Sequence, residues 1–556
     1  MPTRFEVAWI ASKALVKTPR LYALAKRGYD RMSSGAVDLA LETILRNSAL
    51  TFPAPTKGRV LFFSPRWWSP HFAMQFVMAC AMRAEGYEIE FVICGEGSKL
   101  CDMYAVEMAP GGFCKYCTES CERFLRVAGF RFRRLDQLID LQAAQVDARI
   151  HTQSLNLREC IDFQYRGLPV GRLCRASVAR SLRRVMFQDD QVTVELFRGF
   201  LENAIVNVWA AERLVQEKWA LSVVLNSRFA AEAVFFEIAR KAGIDVLTYE
   251  RGFRTNTLFF AVNEDVTQFN VRKQFEQVRH RPLTEDEENR LLKYESERRV
   301  GRDAIVQYFP ELDEDRERIV REFGIDTKKH IAVAYPNIVW DTAVFDNERA
   351  FESVWAWLEA TILTYASLPD WELIVRIHPA EIRLPTLTLE SMEGLIADRF
   401  PTLPSNVHMI PAAAKASSYV LMEMAERVVV YSSTMGMEAA MAGREVVVAA
   451  RVHYGELGFT TEASTPEHHD QLLRRPPQRL DDELRAQARR YANFFFYRFH
   501  VPVESIDEQV WSRPNFCFTN LEELLSGKFA DVEFIRHQLF PLGEGCLLLP
   551  ADGAGS

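Results

Sequence analysis

Apolar positions in this chain come in short blocks that stop abruptly at polar residues. Arg59–Ser64 (RVLFFS), Glu88–Cys94 (EIEFVIC), Leu221–Asn226 (LSVVLN) and Asp245–Tyr249 (DVLTY) form one series. His330–Pro336 (HIAVAYP), Leu373–Val375, Val428–Tyr431 and Val446–Ala450 form a second. Short, continuous, β-branched runs of this kind predict strands buried on both faces, as in a parallel sheet. Between them lie stretches with helical spacing, such as Ala230–Ala242, closed by Gly243, and Phe351–Tyr365. Strand and helix alternate, so the pattern predicts two Rossmann-like α/β halves in series. Ligands of such sheets bind beyond the carboxyl ends of the strands.

Around this frame the chain divides into a helical basic extension (1–57), a first α/β domain with helical insertions (58–300), a second (301–512) and a C-terminal segment (513–556). Residues 135–217 read as mainly helical and carry Arg172, Arg175, Arg180, Arg183 and Arg184. The charged stretch 264–328 reads as a connection whose helices turn a solvated face outward. No glycine-rich phosphate fingerprint follows the first strand, so the first half need not hold a nucleotide.

Composition narrows the class. A chain of 556 residues exceeds one ordinary core, and 48% hydrophobic with 26% charged residues is the balance of a folded, soluble protein. A net charge of −8 argues against nucleic acid as a partner. No apolar run reaches the length of a membrane span, and the N-terminus lacks a signal-peptide core. The expected location is the cytoplasm. Arg4, Lys13, Lys17, Arg20, Lys26, Arg27 and Arg31 flank an apolar face of Phe5, Ala8, Trp9 and Val16. That segment fits either a helix packed on the domain or a peripheral contact with the inner face of the membrane.

The chemistry concentrates in residues 371–460. Arg376-Ile-His378-Pro379 ends a strand, and the proline holds His378 extended at the mouth of the sheet. There Arg376 and His378 can hydrogen-bond a phosphate and stabilise charge developing on it. Ser432-Ser433-Thr434 ends another strand and opens a helix, a place that suits an anion. Glu438, one turn in, suits a pair of vicinal hydroxyls. Ordinary capping and strand-end hydrogen bonds would explain each element singly; their succession within one α/β unit favours a site.

RIHPAE, YSSTMGMEAAMAGREVVV and HYGELGFT together resemble the bacterial capsule-polysaccharide-type glycosyltransferases, including 3-deoxy-manno-octulosonic acid (Kdo) transferases of capsule assembly. More distantly they are similar to sialyl-, polysialyl- and teichoic-acid glycerophosphotransferases. The resemblance implies a GT-B fold, a nucleotide-sugar donor in the second domain and an acceptor, a surface glycan or glycolipid, on the first. It implies no obligatory metal. By that resemblance His378 and Pro379 would bind the donor phosphate, Ser432, Ser433 and Thr434 phosphate or sugar, and Glu438 ribose; Arg376 joins the donor-binding set from its place at the strand end. His378 would also stabilise the departing phosphate.

No acidic motif marks the catalytic base. Glu250, at a strand end of the first half, is preferred, with Asp341 in the loop after the first strand of the second half as the alternative. Arg251 and Arg254 could serve an anionic acceptor, or all of these could form salt bridges across the domains. Cys101, Cys114, Cys117 and Cys121 fall within one short stretch. They read either as ligands of zinc or an iron–sulfur cluster, or as small apolar groups on one helix face. Two other functions share these features: a nucleotide-sugar 2-epimerase, and a non-catalytic scaffold of a polysaccharide-assembly complex.

Overall fold

The computed structural model describes residues 35–98, 100–103, 111–184, 187–302, 309, 311–338, 345–383, 388, 390–510, 513–539 and 544–550. The basic segment before residue 35 and Asp341 lie outside the described residues.

The first sheet contains β1 (Arg59–Phe63), β2 (Glu88–Ile93), β3 (Arg131–Arg134), β4 (Leu221–Leu225), β5 (Val246–Arg251) and β6 (Thr257–Val262). The second contains β7 (His330–Tyr335), β8 (Trp371–Arg376), β9 (Val407–Ile410), β10 (Arg427–Val430), β11 (Glu445–Val448) and β12 (Thr461–Glu462). Within their sheets the strands run β3-β2-β1-β4-β5-β6 and β9-β8-β7-β10-β11-β12. Both are therefore the doubly wound 3-2-1-4-5-6 order, parallel throughout except that β6 runs against β5. The fold is α/β, with two Rossmann-like domains in the GT-B arrangement.

Apolar runs form the centre of each sheet because both faces are covered. Val60, Leu61, Phe62 and Phe63 of β1 and all four residues of β10 are buried. On one face of the first sheet, β1 packs on the helix Ser69–Ala84, whose Phe72, Phe76 and Val77 join Phe62 in one core. On the other, Leu61 and Phe63 meet the helices Val170–Leu182, Gln191–Leu214 and Ala230–Lys241. The region 135–217 is helical, as its sequence predicts.

Two elements depart from the expected organisation. The charged helix Glu285–Arg299 is not merely a solvated connection: Leu291 and Tyr294 are buried with the second domain's Val428, Val430 and Met437. Its apolar positions and Arg298, at i, i+3 and i+7, share one face that the surrounding charges obscure. The second domain also ends earlier than residue 512. After the helix Asp482–Phe494, a π-helical turn at Phe495–Phe499 sends the chain back to the first sheet. There β13 (Val501–Pro502) pairs antiparallel with β6. The hairpin of β14 (Ile506–Val510) and β15 (Arg513–Phe516) follows, then the helix Ala530–His537 against Ser69–Ala84, and β16 (Gly545–Cys546) on β6. This return strand is too short for its pattern to stand out.

The carboxyl ends of the sheets face each other. Phe345, beyond β7, packs against Ala176 and Ala179 of the first domain. Asp346 meets Arg172 at 3.0 Å, Arg175 at 3.8 Å and Arg228, just past β4, at 3.3 Å. Glu348 pairs with Arg175 at 2.8 Å. The basic residues of the helical insertion thus grip the loop after β7.

Candidate active site

In a 3-2-1-4-5-6 sheet the crevice opens where the strand order reverses, between strands 1 and 4. Here those points are β1/β4 and β7/β10, on opposite walls of the cleft.

On the second wall, Asn337 lies two residues past β7 and Ser432 two residues past β10. The Ser432 N–H donates to Asn337 Oδ1 at 3.2 Å, which ties the two loops together. Ser432 Oγ is buried and has no hydrogen-bond partner. A buried hydroxyl left this way costs free energy unless something occupies the crevice. Ser433 and Thr434 follow, but the next helix is short (Met435–Met441) and its first amides turn inward. Met435 N–H donates to Ser433 Oγ, Gly436 N–H to Ser433 O, and those of Met437 and Glu438 to Thr434 O. The anion site expected at these amides is therefore largely satisfied by the chain itself.

His378 lies two residues past β8. Its Nδ1 accepts from Ala380 N–H at 3.1 Å, which places the ring proton on Nε2. Burial, with Arg376 and Arg298 nearby, lowers its pKa to about 4, so it acts as a neutral donor near pH 7. Arg376 is engaged within its own domain. It is 3% exposed, and its guanidinium donates to Pro411 O (2.7 Å) and Ala414 O (3.0 Å), fastening the loop after β9. Burial brings its pKa down to about 10. Pro379 holds the turn that gives Ala380 N–H to the imidazole.

Glu438 is also engaged. One carboxylate oxygen accepts from Tyr294 and the other from Tyr419, each at 2.7 Å, and Arg298 Nε stands 3.5 Å away. Arg298 and the tyrosines come from elements the sequence did not mark as site-forming: the charged helix Glu285–Arg299 and the helix Ser418–Met424. Arg298 is thus a second cation on this wall beside Arg376, electrostatically close to both His378 and Glu438.

On the first wall, Glu250 sits at the end of β5. It accepts from Asn226 Nδ2 and from Arg251 N–H (2.8 Å). Burial raises its pKa above the ordinary glutamate value, against these hydrogen bonds. Asn226, past β4, takes the positive φ of 29° that Asn tolerates, and its Oδ1 accepts from Arg228 N–H. His71, in the first turn after β1, has a buried Nδ1 without a partner and a pKa lowered to about 3 by burial and the cations Arg251 and Arg66. Neither Asn226 nor His71 carried a sequence signal beyond its strand-end position. Arg251 and Arg254 line one pocket at the β5–β6 turn. Arg254 donates to Phe496 O at 3.3 Å and stacks on Tyr497, 4.3 Å from its ring centre.

Cys114, Cys117 and Cys121 do share a helix face, and Cys101 lies nearby in the fold. Among the described residues no group of three or more His, Cys, Asp or Glu side chains is placed to hold a metal ion.

Residues 312–497 match the family described as capsule polysaccharide biosynthesis protein. That match spans about a third of the chain and lies in its second half. It contains RIHPAE and the Ser432–Glu438 segment, so the likeness seen in those residues is the likeness of this family. No curated protein matches the chain. Among solved structures, a β-Kdo 2,4 transferase, KpsC of Thermosulfurimonas dismutans, is 14% identical, over 55% of this chain and 87% of that one, with a TM-score of 0.33. The β-Kdo 2,7 transferase of the same protein is 16% identical over 55% and 85%, with a TM-score of 0.32. The UDP-GlcNAc 2-epimerase of Neisseria meningitidis is 12% identical over 78% and 98%, with a TM-score of 0.21. No helix among the described residues is long and apolar enough to cross a membrane.

Proposed function

We propose that this chain is a glycosyltransferase of capsule polysaccharide synthesis, moving a sugar from a nucleotide donor to a glycan or lipid-linked acceptor. The reading rests on one combination of strand-end groups: a neutral histidine past β8 and an unsatisfied buried hydroxyl past β10 on one wall, and a carboxylate of raised pKa at the end of β5 on the other. The likeness of residues 312–497 to the capsule polysaccharide biosynthesis family supports it. The donor phosphates lie against His378, Ser432 and Arg298. Glu250, its carboxylate aligned by Asn226 and Arg251 N–H, takes the proton of the acceptor hydroxyl as that oxygen attacks the anomeric carbon. The bond from that carbon to the phosphate oxygen breaks, and the charge left on phosphate is met by His378 Nε2–H and Arg298. Arg251 and Arg254 face the acceptor side.

The test has two stages. CMP-, UDP- and GDP-linked sugars are screened by thermal shift, where a donor at about 100 times its Kd stabilises by about 2.7 kcal/mol. With the donor found, His378→Ala is expected to lower turnover by roughly a hundredfold, and Glu250→Gln at least as much, both with the fold retained. Unchanged turnover in both variants would overturn the assignment. Isomerised sugar formed without acceptor would replace it with epimerisation.

A further inference from the structure

A second pocket lies in the first domain, between the end of β2, the loop after β1 and the helix Cys114–Val127. Four half-buried cysteines line it: Cys94, Cys101, Cys114 and Cys117. Three buried polar atoms in its wall have no hydrogen-bond partner: Arg66 Nε, Ser98 Oγ and Asn207 Oδ1. Their residues are 5%, 7% and 2% exposed. Thiols from three separate segments beside unsatisfied polar groups are more than the apolar filling that buried cysteines usually provide.

One of these sulfurs differs from the others. Cys117 Sγ accepts a hydrogen bond from Trp67 N–H at 3.1 Å and a second from the Cys121 thiol. It sits in the first turn of a 14-residue helix, with Arg66 nearby and Glu96 opposing. The Cys121 bond, Trp67 N–H and Arg66 together hold its pKa below the ordinary thiol value despite burial. Burial pushes Cys94 up to about 12 and places Cys101 and Cys121 well above the usual range. A thiolate is the nucleophile in sulfur exchange, so reactivity is focused on Cys117.

We propose that Cys117 and Cys114 form a dithiol pair that exchanges with small disulfides entering this pocket. Residues three apart in a helix have Cα atoms about 5 Å apart, within the span a disulfide bridges. Cys114 is the first residue of its helix, where the backbone adjusts without breaking interior hydrogen bonds. Cys121 lies mid-helix and is 1% exposed, so closing a ring there would distort the core. In the first step the Cys117 thiolate attacks one sulfur of the incoming disulfide. A mixed disulfide forms as the old S–S bond breaks, and the released thiolate takes a proton from water. The Cys114 thiol then gives its proton to water and attacks Cys117 Sγ, expelling the second small thiol. The protein is left oxidised at Cys114–Cys117, and the small disulfide has become two thiols. Oxidation also alters the sulfur that accepts from Trp67 N–H, in the loop that carries Arg66, Trp68 and His71 to the β1/β4 crevice.

The test needs no transferase assay, so it stands or falls separately from the proposed reaction. Full-length protein is treated with iodoacetamide at about pH 7 and the labelled peptides are quantified, with the exposed Cys517 as internal reference. Cys117 is expected to react at least about tenfold faster than Cys517, and the difference should vanish in urea. Oxidised glutathione should then yield a Cys114–Cys117 disulfide. Cys114→Ser should accumulate the mixed disulfide on Cys117, while Cys121→Ser should still close the ring. Equal alkylation of Cys117 and Cys517 would overturn the proposal. So would stoichiometric zinc or iron in the purified protein that blocks alkylation, which would make the pocket a metal centre.

Discussion

Glu438 is the residue whose sequence reading and structural surroundings diverge most, and replacing it separates the two. The side chain is 5% exposed, and its two oxygens accept from the hydroxyls of buried Tyr294 and half-buried Tyr419. In Glu438→Ala both hydroxyls lose their acceptor and Arg298 loses the carboxylate 3.5 Å from its Nε. A hydrogen bond to a charged group contributes about 1.5–3 kcal/mol, and removing one partner of a buried charged cluster costs about 3–5 kcal/mol. The expected loss is therefore about 3–5 kcal/mol, a large share of an ordinary folding free energy. Glu438→Gln keeps the volume and one carbonyl acceptor, so about 1–2 kcal/mol should go. In a cycle with Tyr294→Phe, the loss from Glu438→Ala should shrink by about 1–2 kcal/mol, because one hydroxyl no longer needs an acceptor. The assay is urea unfolding followed by tryptophan emission, run beside donor binding on the same preparations. Glu438→Ala within about 0.5 kcal/mol of the parent, yet with donor affinity lost, would refute this account. The carboxylate would then be a ribose ligand rather than the keystone of the Tyr294–Tyr419–Arg298 cluster.

Three further outcomes are expected. Burial lowers His469 to about 4 and His500 well below the usual value, and each is 1% exposed. Between about pH 6.5 and pH 4 the unfolded chain therefore binds protons the folded one refuses. Stability should fall on acidification by up to about 1.4 kcal/mol per pH unit for each histidine. Glu232 and Glu381, raised to about 7 chiefly by burial, act in the opposite sense from about pH 7 down to 4.5. His71, His378 and His453, lowered to about 3, 4 and 3, leave the histidines dominant. A melting temperature equal or higher at about pH 5 than at pH 7 would contradict this balance. Asp346→Asn keeps the left-handed backbone (φ 62°) but removes the charge facing Arg172, Arg175 and Arg228. Arg228 still has Asp265 at 2.8 Å, so the cost should be about 1–2 kcal/mol, concentrated between the domains and visible as a larger radius of gyration in solution scattering. An unchanged radius would show that Phe345 and the Arg175–Glu348 pair hold the cleft without this charge. Gly436→Ala would put a Cβ 2.4 Å from Tyr454 Oη and 3.0 Å from Val430 Cγ2. The tyrosine is fully buried, so about 1–3 kcal/mol should be lost in thermal unfolding, partly recovered by adding Tyr454→Phe.

Much of the fold is legible in the order of residues because strands buried on both faces must be continuously apolar. The blocks beginning at Arg59, Glu88, Leu221, His330, Leu373 and Val428 could be little else, and each gives way to polar residues or proline where the sheet meets the cleft. His378 and Ser432 were findable for the same reason, since a polar residue just past a buried strand has one place to go. Tertiary structure decided what those residues do. Arg376 looks like a phosphate ligand beside His378, yet alternation along β8 turns it to the β9 loop, whose carbonyls take its donors. Glu438 looks like a ribose ligand until a charged helix remote in sequence brings Tyr294 and Arg298 onto it. The return strand Val501–Pro502 carries almost no periodicity, and only its pairing with β6 shows where the chain crosses back. Local pattern settles which residues are buried and which end a strand. Which buried polar groups meet each other depends on packing between distant segments, and that part of the site appears only in three dimensions.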